Sequence, residues 1–140
     1  DVPGIDPEEI CLLLPENSDE SAAKIREKIR GAWGRDIGVI INDSLGRPWR
    51  VGTLGLAIGV SGFTALEDYI GGQDIYGREL QVTQVGAADE LAAGASLVMG
   101  QTTEKTPVVL VRGYHPKEPM DDGLKGVGPL IRAKEFDLFR

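Results

Sequence analysis

The sequence predicts an α+β domain built on a mixed β-sheet with packed helices. Three observations carry that prediction. A helix-period pattern over 18–32 and an alanine- and leucine-rich stretch over 87–99 read as helices, and short β-branched runs at 37–41 and 107–113 read as buried strands. The two kinds of segment follow one another without the strict strand-helix-strand rhythm of a doubly wound fold. At 140 residues the chain suffices for one domain, 1–140, with its own core, and not for two.

Each element has a local cause. Pro15-Glu16-Asn17-Ser18 reads as a turn, and Asn17 and Glu20 have capping-box spacing, so a helix starts near Ser18. Ala22, Ile25, Ile29 and Ala32 recur on one face, while Lys24, Arg26, Glu27, Lys28 and Arg30 fall mostly elsewhere and are expected in solvent. Gly31 and Gly34 end it. The run Ile37-Gly38-Val39-Ile40-Ile41 predicts a strand buried on both faces, ending in Asn42-Asp43-Ser44. Residues 45–50 read as a loop, and 51–63 as one or two strands bent at glycines. Leu80, Val82 and Val85 alternate with polar residues, which predicts a half-exposed strand over 80–85; the 87–99 helix follows and Gly100 closes it. Pro107-Val108-Val109-Leu110-Val111-Arg112-Gly113 is the last expected strand, and from His115 onward prolines and glycines describe an extended tail.

Composition narrows the function. Hydrophobic residues at 41% and charged residues at 26% are ordinary for a folded soluble protein. Fifteen Lys and Arg against 22 Asp and Glu leave a net charge of -7, the wrong sign for a broad nucleic-acid surface, although a few arginines, backbone amides or a metal ion can still hold a small anion. The single cysteine, Cys11, lies in an apolar run and reads as a buried, inert thiol in a reducing, cytoplasmic setting. The most apolar stretch is far short of the ~20 residues a membrane span needs, and it is broken by glycines at 55, 59 and 62. The start, Asp1-Val2-Pro3-Gly4, has no initiator Met or signal-like core, as expected of a chain trimmed or cut from something longer.

The common nucleotide loops, P-loop and Rossmann alike, are missing, and so is G-x-S-x-G. Gly59-Val60-Ser61-Gly62 offers a serine, but the only histidine, His115, sits in the Pro-rich tail with no reason to meet it. Two stretches remain. Asp43 and Ser44 supply a carboxylate and a hydroxyl, hard ligands for Mg or Mn, and Arg47 and Arg50 carry forked donors for phosphate or carboxylate. Equally, Asp43 can cap a turn with help from Ser44, Trp49 can pack, and both arginines can pair with surplus acids; spacing leaves the two readings open. The second stretch, Met99-Gly100-Gln101-Thr102-Thr103-Glu104-Lys105-Thr106, can hold a phosphate or complete a metal shell, or be a solvated connector. The acids of 66–69 and 72–79 read as surface networks with Arg78. Asn42-Asp43-Ser44 is formally a glycosylation sequon, with little weight in a chain of this composition.

The run from Ile41 through Gly52, Ile-Asn-Asp-Ser-Leu-Gly-Arg-Pro-Trp-Arg-Val-Gly, followed by Ala57-Ile58-Gly59-Val60-Ser61-Gly62, closely resembles the central motif of the coenzyme F-420:L-glutamate ligases, also called F-420-0 gamma-glutamyl ligases. Leu66-Glu67-Asp68-Tyr69, Asp74 to Leu80, Ala88 to Ala92, Leu97 to Gly100, Val111-Arg112-Gly113 and the closing Glu135 to Arg140 are similar to later family blocks, in order. The chain resembles the C-terminal half of such an enzyme, with the N-terminal half absent. Gly4-Ile5-Asp6 echoes the family's Gly-Ile-Asp-x-Ser-Asn, yet Pro7-Glu8-Glu9 departs from it and Val2-Pro3-Gly4 fits the stretch just after that motif better. The first metal aspartate is therefore expected upstream of Asp1.

The resemblance implies an α+β fold and an interwoven homodimer. It implies Asp43 and Ser44 as metal ligands, Gln101 as a further ligand, and the 99–106 loop as a nucleotide contact. The reaction it implies is GTP-dependent, with Mn or Mg: L-glutamate is joined to the carboxylate of coenzyme F-420-0 through an acyl phosphate. Asp43 is then expected at the chemistry as a metal ligand, and Arg47 or Arg50, from their forked donors and not from the resemblance, is expected to orient a phosphate or carboxylate. A related metal-dependent phosphotransferase with another acceptor, or a non-catalytic dimerisation or folding fragment, are the competing expectations.

Overall fold

The computed structural model describes residues 13–117 and 125–137. Asp6 and Cys11 lie outside them. Helix α1 spans Ser18–Trp33 and is capped as its sequence predicts: the Glu20 N–H donates to Asn17 Oδ1 at 3.0 Å. The reciprocal half of the capping box is replaced, because the Glu20 carboxylate pairs with Lys24 at 2.7 Å one turn on. At the other end the Gly34 N–H donates to the Arg30 carbonyl.

Two long strands, β1 at Val39–Arg47 and β2 at Arg50–Ser61, form an antiparallel hairpin. Pro48 and Trp49 alone make its turn, so the loop expected over 45–50 is mostly strand. Proline there cannot continue the ladder. The register slips between Ile41 and Asn42, which pair with Gly59 and Ala57, and leaves Ile58 as an extra residue immediately before Asn42-Asp43-Ser44. β1 is only half-buried over 39–43 rather than enclosed on both faces, in a sheet of two strands.

A second small antiparallel sheet pairs β3, Glu67–Asp68, with β4, Gln84–Val85. The strand expected over 80–85 shrinks to these last two residues. Leu80 instead exchanges backbone bonds with Gly71 and Gly72 inside the 69–83 excursion, and Val82 is left exposed. Helix α2 spans Ala87–Met99 as predicted. Single 3-10 turns at Gly128–Leu130 and Lys134–Phe136 close the described chain. The architecture is α+β, but both described sheets are antiparallel, which corrects the expected mixed sheet. Among the described residues no helix is long and apolar enough to cross a membrane.

The predicted strand over 107–113 does not form. The segment is extended, but none of the named strands pairs with it, and Val108 and Leu110 are 80% and 64% exposed. A β-branched run becomes a strand only when a neighbouring edge takes its N–H and C=O groups, and none of the named strands lies beside this one.

The core is built from small side chains: Ala57, Val60, Phe63, Ala65, Ala88 and Ala92, flanked by Ile40, Leu91, Tyr114, Val127 and Leu130. Small residues let both helices approach the hairpin closely. An added Cβ at Gly59 would stand 2.4 Å from the Ser18 backbone, so only glycine admits α1 at that height. The contact face of α1 runs through Ser18, Ala22 and Arg26: of the expected row Ala22, Ile25, Ile29 and Ala32, Ala22 is fully buried, Ile29 half-buried, and Ile25 is 42% exposed. Arg26, expected in solvent, is 3% exposed and makes a bidentate pair with Asp36 at 2.8 and 2.6 Å.

β2 has a ladder partner on one side only, and helix side chains serve N–H groups on its other side. Gly55 donates to Ser96 Oγ at 3.2 Å, Ala57 to Asp89 Oδ1 at 3.1 Å and Val60 to Asp19 Oδ1 at 2.8 Å. These contacts cover an edge that would otherwise be open, and they set the helices in place for the cleft.

Candidate functional site

β1 and the end of α2 face one another across a cleft of about 190 Å³. It is lined by Asn42, Asp43 and Ser44 of β1, Gly55 of β2, Ser96 and Met99 of α2, and Gly100 and Gln101 just beyond it. Asp43 and Ser44 thus share one cleft with Gln101, although 57 residues separate Ser44 from Gln101 in the chain.

The strand bulge places this triplet. With Ile58 extra on β2, Asn42 aligns with Ala57, and its side chain reaches α2: Nδ2 donates to the Ala92 carbonyl at 3.0 Å and to Met99 Sδ at 3.6 Å. Asp43 Oδ1 accepts the Ser44 N–H at 2.8 Å, so the carboxylate caps its neighbour while lining the cleft; the structural role and a place in the cleft coexist. Gly55 is held to glycine by space, since a Cβ would stand 2.6 Å from the Ala92 carbonyl and 2.7 Å from Ser96 Cβ.

The cleft favours positive charge. Asp43 contributes a carboxylate, and the C-terminal end of α2, the negative end of its dipole, carries no basic residue in its last turn. Carboxylate, hydroxyl and carboxamide oxygens are hard donors that suit Mg or Mn. Among the described residues no group of three or more His, Cys, Asp or Glu comes together.

The other expected site residues stand outside this cleft. Arg47 donates to the Gly52 carbonyl at 3.1 Å, and Arg50 is exposed beside the hairpin turn. Trp49 does not pack; it is 91% exposed with φ of 64°, an unusual conformation for a bulky residue. Thr102, Thr103, Glu104, Lys105 and Thr106 run on from Gln101 as a mostly exposed loop. Within it, the Thr102 N–H donates to Glu104 at 2.9 Å and holds that carboxyl below the usual carboxylate range. Asp74 pairs with Arg78 at 2.9 Å and caps the Tyr76 and Arg78 N–H groups, a surface turn as expected.

Sequence reasoning missed Asn42, Gly55 and Ser96 as cleft residues. The one available sign was polarity out of place: an amide at the end of an apolar strand and a serine late in an alanine-rich helix.

The described residues thus form an α+β fold with a cleft between a strand and a helix end, lined in part by carboxylate, hydroxyl and carboxamide groups. The pattern of the F420-0:Gamma-glutamyl ligase family matches residues 3–113, and the chain belongs to that family. It is 50% identical over 131 residues to the coenzyme F420:L-glutamate ligase of Methanothermobacter thermautotrophicus, covering 94% of this chain and 51% of that protein. The protein of the same name from Methanocaldococcus jannaschii is 53% identical over 128 residues, 91% of this chain and 50% of its own length. That from Archaeoglobus fulgidus is 44% identical over 134 residues, 95% of this chain and 52% of its own. The chain spans about half the length of these curated relatives.

Proposed function

We propose that this chain is the cation- and nucleotide-holding half of a ligase that joins L-glutamate to the carboxylate of coenzyme F-420-0, in coenzyme F-420 biosynthesis, at the expense of GTP. The observation that supports it best is the meeting of Asp43, Ser44 and Gln101 around one cleft in a chain of this family. In this reading the acceptor carboxylate oxygen bonds to the γ-phosphorus as the bond to GDP breaks. The glutamate nitrogen then bonds to the acyl carbon, phosphate leaves with the C–O electron pair, and the nitrogen loses a proton. Asp43, Ser44 and Gln101 hold Mn or Mg, which offsets the repulsion between the anionic acceptor and the phosphates. The 99–106 loop, continuous with Gln101, contacts the nucleotide. Arg47 and Arg50, outside the cleft on the same hairpin, orient a phosphate or carboxylate brought to it.

The extended 107–111 segment, exposed and paired with none of the named strands, supports a homodimer in which a second copy covers it. Consumption of GTP and a chain with no membrane-crossing helix among its described residues suit the cytoplasm.

The half-length match favours one second reading, a folding or dimerisation unit without activity of its own. Mass spectrometry separates the two. The chain, alone and mixed with the half of the Methanocaldococcus jannaschii relative that it does not cover, is incubated with GTP, MnCl2, L-glutamate and F-420-0. A glutamyl mass increase on the acceptor in the mixture supports the ligase reading. No product from the mixture, where the intact relative gives product, leaves the non-catalytic reading.

A further inference from the structure

We propose that Asn42 is a positioning residue of this cleft, setting the distance between the strand that carries Asp43 and Ser44 and the helix end that carries Gln101. The inference rests on the reading that the cleft holds a divalent cation.

Asn42 is covalently adjacent to Asp43. Through Nδ2 it holds Met99 Sδ at 3.6 Å, two residues before Gln101, and the Ala92 carbonyl at 3.0 Å. This is a direct tie between the two segments that carry the expected ligands. The Ser96 hydroxyl, which accepts from Gly55 and donates to the Ala93 carbonyl at 3.0 Å, makes a second tie. Gly55 lets both ties close, because a Cβ there would also stand 2.8 Å from Asn42 Oδ1.

The carboxamide is a poor choice for stability alone. Its Oδ1 is buried with no hydrogen-bond partner among the described residues, a desolvation cost that an apolar residue of the same size avoids. What an apolar residue cannot do is donate to α2 at two points. Outer contacts that fix a ligand-bearing segment alter metal affinity about 10- to 100-fold when removed.

The test is the dissociation constant for Mn2+ alone, read from the free-ion signal in electron paramagnetic resonance, on this chain and its variants. Asn42→Leu keeps the volume and removes the donor; its dissociation constant is expected to rise about tenfold or more while its thermal midpoint stays near the parent's. Asn17→Ala, which removes the α1 cap far from the cleft, lowers the midpoint and leaves Mn2+ affinity unchanged. A folded Asn42→Leu chain that binds Mn2+ as the parent does overturns the inference. If Asn42→Leu fails to fold, Met99→Leu decides, since it removes only the sulfur acceptor: about a threefold loss of affinity supports the tie, on the scale of one weak contact, and none overturns it. A parent that binds no Mn2+ overturns the cation reading as well, a result distinct from loss in the variant alone.

Discussion

Replacing Asp19 by alanine tests how the sheet and the helices are joined. One oxygen, Asp19 Oδ1, accepts both the Val60 N–H of β2 at 2.8 Å and the Val127 N–H at 3.0 Å. Val60 is 2% exposed, so water has little access to replace the lost acceptor there. Each orphaned N–H costs about 1–2 kcal/mol, and loss of an acid from the first turn of α1 adds a few tenths, for about 2–4 kcal/mol in all. With a urea slope of about 2 kcal/mol per molar, the unfolding midpoint falls by about 1–2 M. Asp19→Asn keeps an acceptor oxygen and is expected to lose less than half as much. Urea titration followed by circular dichroism measures both. An Asp19→Ala midpoint within about 0.3 M of the parent would refute the clasp, because surface acids cost no more than that.

Gly59→Ala drives a Cβ to 2.4 Å from the Ser18 backbone and forces α1 off the hairpin, a loss of about 1–3 kcal/mol or more, whereas Gly46→Ala meets nothing within 4 Å and stays within about 0.5 kcal/mol; thermal melts compare them. Glu67 accepts from Tyr69 Oη at 2.7 Å and Tyr114 Oη at 2.8 Å, which hold its carboxyl below the usual range. A lowered folded pKa stabilises above the unfolded value of about 4.3 and loses that effect as pH falls through the folded value. The stability gap between parent and Tyr114→Phe is therefore full at neutral pH and narrows below about pH 4, as denaturant titrations across that range will read. Burial, with Glu67 beside it, pushes the Tyr114 phenol well above the ordinary tyrosine range, so in alkaline absorbance titration it is the last tyrosine to ionise.

What the sequence made legible were features with local causes. Asn17 and Gly34 bracket α1, and the alanine-rich run of α2 ends at Gly100, because caps and helix formers act within a turn of themselves. Asp43 and Ser44 stood out as polar groups at the end of an apolar strand, whereas Gln101 was singled out by the family resemblance; that the three line one cleft is a finding of the fold. Arg26 was not: only the close approach of Ser18 to Gly59 decides which row of α1 faces the sheet. Asn42, Gly55 and Ser96 meet through a bulge and contacts 41 to 57 residues apart, which no local pattern encodes. The 107–113 run reads as a strand because its side chains suit one; whether it pairs depends on a neighbouring edge, which no local pattern encodes.

The most direct test of the cleft is Mn2+ binding by isothermal titration calorimetry to the parent, to Asp43→Asn and to Asp74→Asn, an acid of the distant surface turn. The expected result is binding to the parent and to Asp74→Asn with equal affinity and a loss of about tenfold or more in Asp43→Asn, where the carboxylate proposed as a ligand becomes a neutral amide. Equal affinity in Asp43→Asn and the parent would contradict the assignment of this cleft to the cation.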